Sequence, residues 1–304
     1  MASPQAEAAK EMMKAFREAV TAAGGAPPTL EQQRAGMAVI AESATALANI
    51  TVSETYAGGC RAYWNDPAGG ATDRVIMYVH GGGYVVGSPK THERLVGHLA
   101  AAVGCRVLNV DYRLAPEHPH PAAVNDATNA YRWLLAQGYK PEHIAISGDS
   151  AGGGLTLATL LSIKENGLPQ PAAAVPLSPW TDMEGLGESM DTNAPNDMIV
   201  QRAGLKDMAA SFLGEGTHPR DPLAAPLYGD YRGIAPIYIQ VGGDETLLDD
   251  STRVAERARA AGVEVKIDVF PEMQHVFQAS AGNMPEATDA VERIGVYLKQ
   301  KLGL

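Results

Sequence analysis

A serine on a glycine turn, a histidine and a carboxylate could together run acyl transfer in this 304-residue chain. Gly148-Asp149-Ser150-Ala151-Gly152 is its only G-x-S-x-G. An apolar run, Ile144–Ser147, precedes this turn and an apolar helical pattern follows it. That strand-turn-helix setting holds a serine in a strained conformation with its hydroxyl above a sheet. Gly148 and Gly152 are expected where the strand and the helix pass too closely for a Cβ. A phosphate loop would need GxxxxGK[ST] or GxGxxG, and the segment has neither.

A serine at its free pKa is a poor nucleophile, so it needs a base, and the base needs an orienting carboxylate. In this setting the partners follow in the order serine, acid, histidine, each on a loop after a strand. Of eight histidines, His275 alone follows the last strand-like run, Val265–Phe270. The preceding run, Ile237–Val241, leads into Gly242-Gly243-Asp244-Glu245, with Asp249 and Asp250 further on. Asp249 and Asp250 sit at the expected start of a helix, where N-capping accounts for them. Asp244, just past two permissive glycines, is the expected acid; Glu245, with its longer reach, is the lesser candidate. Activity is then expected to fall as pH drops through roughly 6 to 7, where a free imidazole gains its proton.

His80-Gly81-Gly82-Gly83-Tyr84 directly follows the apolar run Val75–Val79. Successive glycines let backbone N–H groups approach a developing oxyanion with no side chain in the way. His80 reads as an anchor for that loop. Tyr84, Trp180, Phe212, Leu248, Val276 and Phe277 lie on or beside loops at the same edge and are the expected pocket walls. For Trp180, core packing is an equal reading. Asp149 is expected to orient neighbouring loops, and Arg113, Glu117 and His118 to form a buried network behind the glycine loop. His92 and His98 are six apart, wrong for HExxH zinc binding, and read as an ordinary helix surface.

These residues need a scaffold. From Val75 onward, short apolar runs alternate with helical patterns: Val75–Val79, Val107–Val110, Ile144–Ser147, Ala173–Leu177, Ile237–Val241 and Val265–Phe270. The intervening helices are expected at 91–103, 122–137, 151–165, 250–261 and 284–301. Continuous apolar runs between helices mean strands buried on both faces, hence an α/β fold with a mainly parallel central sheet flanked by helices. Further strands are expected near 51–56 and 60–64. Residues 182–222 break the rhythm, with one helix near 203–213; with N-terminal helices over 5–48, interrupted near Gly24–Pro28, they read as a helical cap. The expected division is 1–48 as cap helices and 49–304 as the catalytic domain, with 182–222 contributing to the cap.

HGGG at 80–83, GDSAGGG at 148–154, DYRLAPEHP at 111–119, the DETLLDD loop and His275 together resemble the hormone-sensitive-lipase-like esterases of the α/β-hydrolase fold. The resemblance runs from about residue 73 to the C-terminus and fits the N-terminal helices only in outline. It implies hydrolysis of short-chain carboxylic esters without a cofactor, and oxyanion donors at the N–H groups of Gly82, Gly83 and Ala151. It also implies a homodimer as a common state, through residues near 265–301. Some relatives act on lactones or aryl-formyl amides, and those readings stay open beside the serine carboxylesterase. A hormone-receptor branch of the same fold has lost the histidine; this chain keeps His275, which weighs against a pure ligand-binding module.

Composition narrows the partners. With 45% hydrophobic and 19% charged residues the chain can bury a large core. A net charge of −11 argues against nucleic acid and anionic membranes. The N-terminus lacks a basic region followed by an apolar one, so a cytoplasmic protein acting on a small-molecule ester is the expectation. Cys60 and Cys105 form no CxxC pair and suggest no metal cage; whether they bond to each other is open.

Overall fold

Each apolar run from Val75 onward forms a strand. In the computed structural model, which describes residues 2–23 and 28–304, eight strands make one sheet. These are β1 Ile50–Ala57, β2 Cys60–Pro67, β3 Ala71–Val79, β4 Cys105–Val110, β5 Ile144–Asp149, β6 Ala173–Leu177, β7 Ile237–Gly242 and β8 Val265–Phe270. Their order across the sheet is β1-β2-β4-β3-β5-β6-β7-β8. The first two strands pair antiparallel and β2 joins β4 antiparallel; every other neighbouring pair is parallel.

Successive strand residues face opposite sides, which is why these runs are apolar throughout. Val75, Met77 and Val79 of β3 join one core, with residues from α4 Ala122–Ala136, α5 Ala151–Glu165 and α8 Leu248–Ala260. Ile76 and Tyr78 join the other, with α3 Glu93–Val103 and α9 Pro285–Leu302. Burying a Val, Leu or Ile contributes roughly 1.5–3 kcal/mol, so the sheet is anchored from both faces.

Register aligns the strand ends that matter. Val79 of β3 pairs with Gly148 of β5, Asp149 with Leu177 of β6, and Gly242 of β7 with Phe270 of β8. The glycine loop, the serine turn, the acid loop and the histidine loop therefore leave the sheet along one edge.

Between β6 and β7 come α6 Ser189–Thr192, α7 Arg202–Leu213 and a 3-10 turn at Pro226–Tyr228, with no strand among the described residues. At the N-terminus, α1 Pro4–Ala23 lays Ala6 and Ala9 against Phe270, Met273, Phe277 and Met284. The helix α2 Leu30–Gly36 starts with a reciprocal cap, Thr29 Oγ1 accepting from the Gln32 N–H while Gln32 Oε1 accepts from the Thr29 N–H. A 3-10 turn over Met37–Glu42 ends this region, so the helical expectation over 5–48 overran by several residues. The expected interruption falls mostly on 24–27, outside the described residues. No helix among the described residues is long and apolar enough to cross a membrane.

Candidate active site

Ser150 closes β5 and opens α5 with φ 55° and ψ −120°, a conformation that favours glycine over any side chain. Backbone bonds hold the strain in place: its N–H donates to Leu177 O at 2.8 Å, and its carbonyl accepts from Trp180 at 2.9 Å and Gly154 at 3.0 Å. Glycine at 152 is required because a Cβ there would lie 2.0 Å from Val79 O, at the end of β3. At Gly148 a Cβ would lie 2.3 Å from Val79 O and 2.5 Å from Gly152 O of α5, so there the obstacle is the helix as well as the neighbouring strand.

Across the same edge, His275 Nδ1 donates to Glu245 Oε2 at 2.8 Å. Asp244 does not meet the imidazole; its carboxylate takes Lys10 of α1 at 2.6 Å. This corrects the expected acid, and the cause is local. The Gly243 N–H bonds Phe270 O and the Asp244 N–H bonds Met273 O, so the chain turns Asp244 outward and Glu245 inward. The longer glutamate then reaches back, its Oε1 accepting from the Gly242 N–H and the Ser178 hydroxyl, both at 2.6 Å. Burial raises the Glu245 carboxyl, and His275, Ser178 and Gly242 work against that rise. Burial also opposes charging His275, but Glu245, with Asp197 and Asp149 beyond it, raises the imidazole above its ordinary value.

The glycine loop bends under its own hydrogen bonds, the Gly82 carbonyl accepting from Val85 and Val86. At Gly82, φ is 118° and a Cβ would lie 2.2 Å from Val86 O, so only glycine fits. Among the described residues neither Gly82 nor Gly83 gives its N–H to another protein group. Ala151 is the first residue of α5, where N–H groups have no partner within the helix.

A buried network holds this loop from behind. Asp149 Oδ1 accepts from the Gly81 N–H at 3.0 Å and from the Tyr78 hydroxyl at 2.6 Å, and Oδ2 meets His92 Nε2 at 3.2 Å. Burial raises Asp149, but His92 and Tyr78 bring it down to about 2. His80 donates from Nδ1 to Gly81 O at 2.8 Å, and Tyr112 donates to His80 O at 2.7 Å. Burial and neighbouring His92 lower His80 to about 3, so it stays neutral. His92 is therefore a buried loop support and no surface residue, whereas His98 is partly buried against Thr45. Arg113, Glu117 and His118 are exposed and form no buried network: Arg113 pairs with Asp126, and Glu117 with Arg34. Asp249 and Asp250 do not cap α8, whose first turn they occupy; Asp249 accepts instead from the Ser189 N–H at the start of α6, and Asp250 from the Thr181 and Asp182 N–H groups.

Ser150, His275, Gly82 and Gly83 line one cavity of about 290 Å³. Of the expected walls it includes Trp180, Val276 and Phe277. Tyr84, Phe212 and Leu248 are not among its lining residues. Tyr84 instead stacks on Phe212, centroids 3.7 Å apart, behind the glycine loop. More of the wall comes from Ala6, Ala9 and Met13 of α1, Met37 and Ile40 of the 3-10 turn, Ile199–Gln201 before α7, and Gly204, Leu205 and Met208 of α7. Among the described residues no group of three or more His, Cys, Asp or Glu could hold a metal ion, and Cys60 and Cys105 are free and buried.

A family described as the alpha/beta hydrolase fold matches residues 76–279. An esterase from the bacterial hormone-sensitive lipase family superposes with a TM-score of 0.93 at 44% identity, covering the whole of both chains. The chain belongs to the hormone-sensitive-lipase-like branch of the alpha/beta hydrolases. An acetyl-hydrolase of Streptomyces hygroscopicus is 43% identical over 246 residues, 81% of this chain and 82% of its own. Esterase LipU of Mycobacterium tuberculosis is 35% identical over 275 residues, 89% of this chain and 92% of its own.

Within this alpha/beta hydrolase, motif reading missed two kinds of residue. Ser178, with φ 43°, donates to Glu245 and accepts from the Val276 N–H at 3.3 Å, joining the acid to the histidine loop. No local pattern announces it beyond its place just after β6. Asp197 and Gln274 also carry no motif, and their contacts exist only once residues 193–201 are folded against the acid and histidine loops.

Proposed function

We propose that this chain is a serine carboxylesterase acting on short-chain esters through Ser150, His275 and Glu245, with Gly82, Gly83 and Ala151 N–H groups as the oxyanion donors. The observation that carries the reading is a strained serine sharing one cavity with a carboxylate-held histidine and two unengaged glycine N–H groups. His275, its Nδ1 held by Glu245, removes the Ser150 proton through Nε2 as the oxygen attacks the ester carbonyl. The tetrahedral oxyanion collects the amide donors, and the same imidazole returns the proton to the departing alcohol. Water then repeats the cycle on the acyl-enzyme.

A cavity of about 290 Å³ lies at the small end of ligand pockets and suits short acyl groups. Met13, Met37, Met208, Met273 and Met284 line it, and pliable thioether side chains suit several acyl shapes. A panel of p-nitrophenyl esters of rising chain length, with a lactone and an N-formyl amide beside it, tests the reading. Turnover greatest on the short esters and lost in Ser150→Ala supports it; preference for the lactone or the amide replaces it. Fluorophosphonate labelling of Ser150 separates an enzyme from a binding module, which would leave the serine unreactive.

The reading also places the protein in the cytoplasm, in keeping with two free buried thiols. It carries a homodimer across β8, the sheet's last strand, where Val269 is exposed. A monomeric mass by sedimentation would dismiss the dimer.

A further inference from the structure

Residues 193–201, between α6 and α7, are bonded to both loops that carry the acid and the base. On the acid side, Asn193 Nδ2 donates to Gly243 O at 3.1 Å and Glu245 O at 2.8 Å. The fully buried Asp197 carboxylate accepts on Oδ2 from the Thr246 N–H at 2.8 Å and the Thr246 hydroxyl at 3.0 Å. Its Oδ1 accepts from the Ile199 and Val200 N–H groups at 2.9 and 2.8 Å, which fixes the turn itself. On the base side, Gln274 immediately precedes His275. Its Nε2 donates to Asn196 O at 3.0 Å, and its Oε1 accepts from the Met198 N–H at 2.8 Å. The N-terminal helix rests on the same assembly, with Arg17 donating to Asp197 O at 2.9 Å and Lys10 pairing with Asp244.

We propose that this segment is a clamp that sets the Glu245–His275 geometry, with Asp197 and Gln274 as positioning residues for the base. The inference rests on the Ser150–His275–Glu245 reading. Beyond Gly242 and Phe270, where the β7–β8 ladder ends, the two loops are bonded among the described residues only through the Gly243 and Asp244 N–H groups, Ser178 and the Glu245–His275 pair itself. Residues 193–201 add a second set of bonds that holds both loops from one side. A misplacement of about 1 Å in a reacting constellation costs on the order of 100-fold in rate. Asp197 faces three N–H groups and a hydroxyl, so an amide at this position would turn its NH2 toward a donor whichever way it lies. The carboxylates that act on His275 are Glu245 directly, then Asp197 and Asp149, so removing the Asp197 charge also lowers the proton affinity of the imidazole.

The test measures kcat and KM of the full chain on a p-nitrophenyl ester for Asp197→Asn and Gln274→Ala, each in the native and the Glu245→Gln background. The clamp predicts that each lowers kcat about 10- to 100-fold in the native background, with KM changed less. In Glu245→Gln each costs less than about twofold more, because the pair it serves is already broken. The acid limb of the pH profile moves to lower pH in Asp197→Asn and stays put in Gln274→Ala. If Asp197→Asn fails to fold, Gln274→Ala decides alone. Equal losses in both backgrounds, or a rise in KM with kcat intact, overturn the clamp while leaving the triad standing. Native turnover in Glu245→Gln alone overturns the acid assignment and the clamp with it.

Discussion

In the proposed mechanism Gly82 is where the backbone comes close to a developing charge, and its φ of 118° already disfavours ordinary side chains. Even alanine would place its Cβ against the Val86 carbonyl, so Gly82→Ala must shift the loop that carries the donors. Losing one oxyanion donor costs roughly 2.7–4 kcal/mol of transition-state stabilisation, about 100- to 1,000-fold in kcat. We expect a fall of that order, with KM little altered, in steady-state kinetics. His275 gives the second residue-scale expectation. Its folded pKa lies above the ordinary value because Glu245, Asp197 and Asp149 outweigh burial. The base must be neutral to act, so kcat/KM should fall as pH drops through a value above 6.5 rather than at it. A pH profile with its acid limb below 6.5 would contradict that assignment.

The helix α1 illustrates how elements shape the site. Ala6 and Ala9 present small side chains to the cavity, leaving room beside Phe277 and Met284. Replacing Ala9 with Phe should fill part of that space, cutting kcat/KM for a hexanoate ester at least about tenfold more than for an acetate ester. Equal losses on both esters would mean that α1 does not bound the acyl site. The strands were legible in the sequence because burial on both sheet faces leaves continuous apolar runs, and the serine turn because its glycines answer to a nearby strand. The acid was not legible: choosing between Asp244 and Glu245 depends on which N–H groups pair with Phe270 and Met273, in a loop about 30 residues downstream. His92 escapes the sequence for a similar reason, since its place just before α3 says nothing of the Asp149 carboxylate it meets. Breaking that buried pair with His92→Phe should lower stability by about 3–5 kcal/mol, readable in denaturant unfolding.

At the scale of the whole molecule, the net charge of −11 sets how the enzyme meets its substrate. Acidic surfaces gain nothing from anionic bilayers, so we expect no recruitment to anionic vesicles. Rates should also rise smoothly with ester concentration through its solubility limit; a sharp increase at that limit would contradict this picture. The fold otherwise holds four loops along one sheet edge, and in the proposed mechanism that edge carries Ser150, His275 and Glu245 as one unit. The most direct test compares kcat/KM of Glu245→Gln and Asp244→Asn on a short p-nitrophenyl ester. The account predicts a loss of roughly 10⁴-fold in Glu245→Gln and near-native activity in Asp244→Asn. The reverse ranking would contradict it.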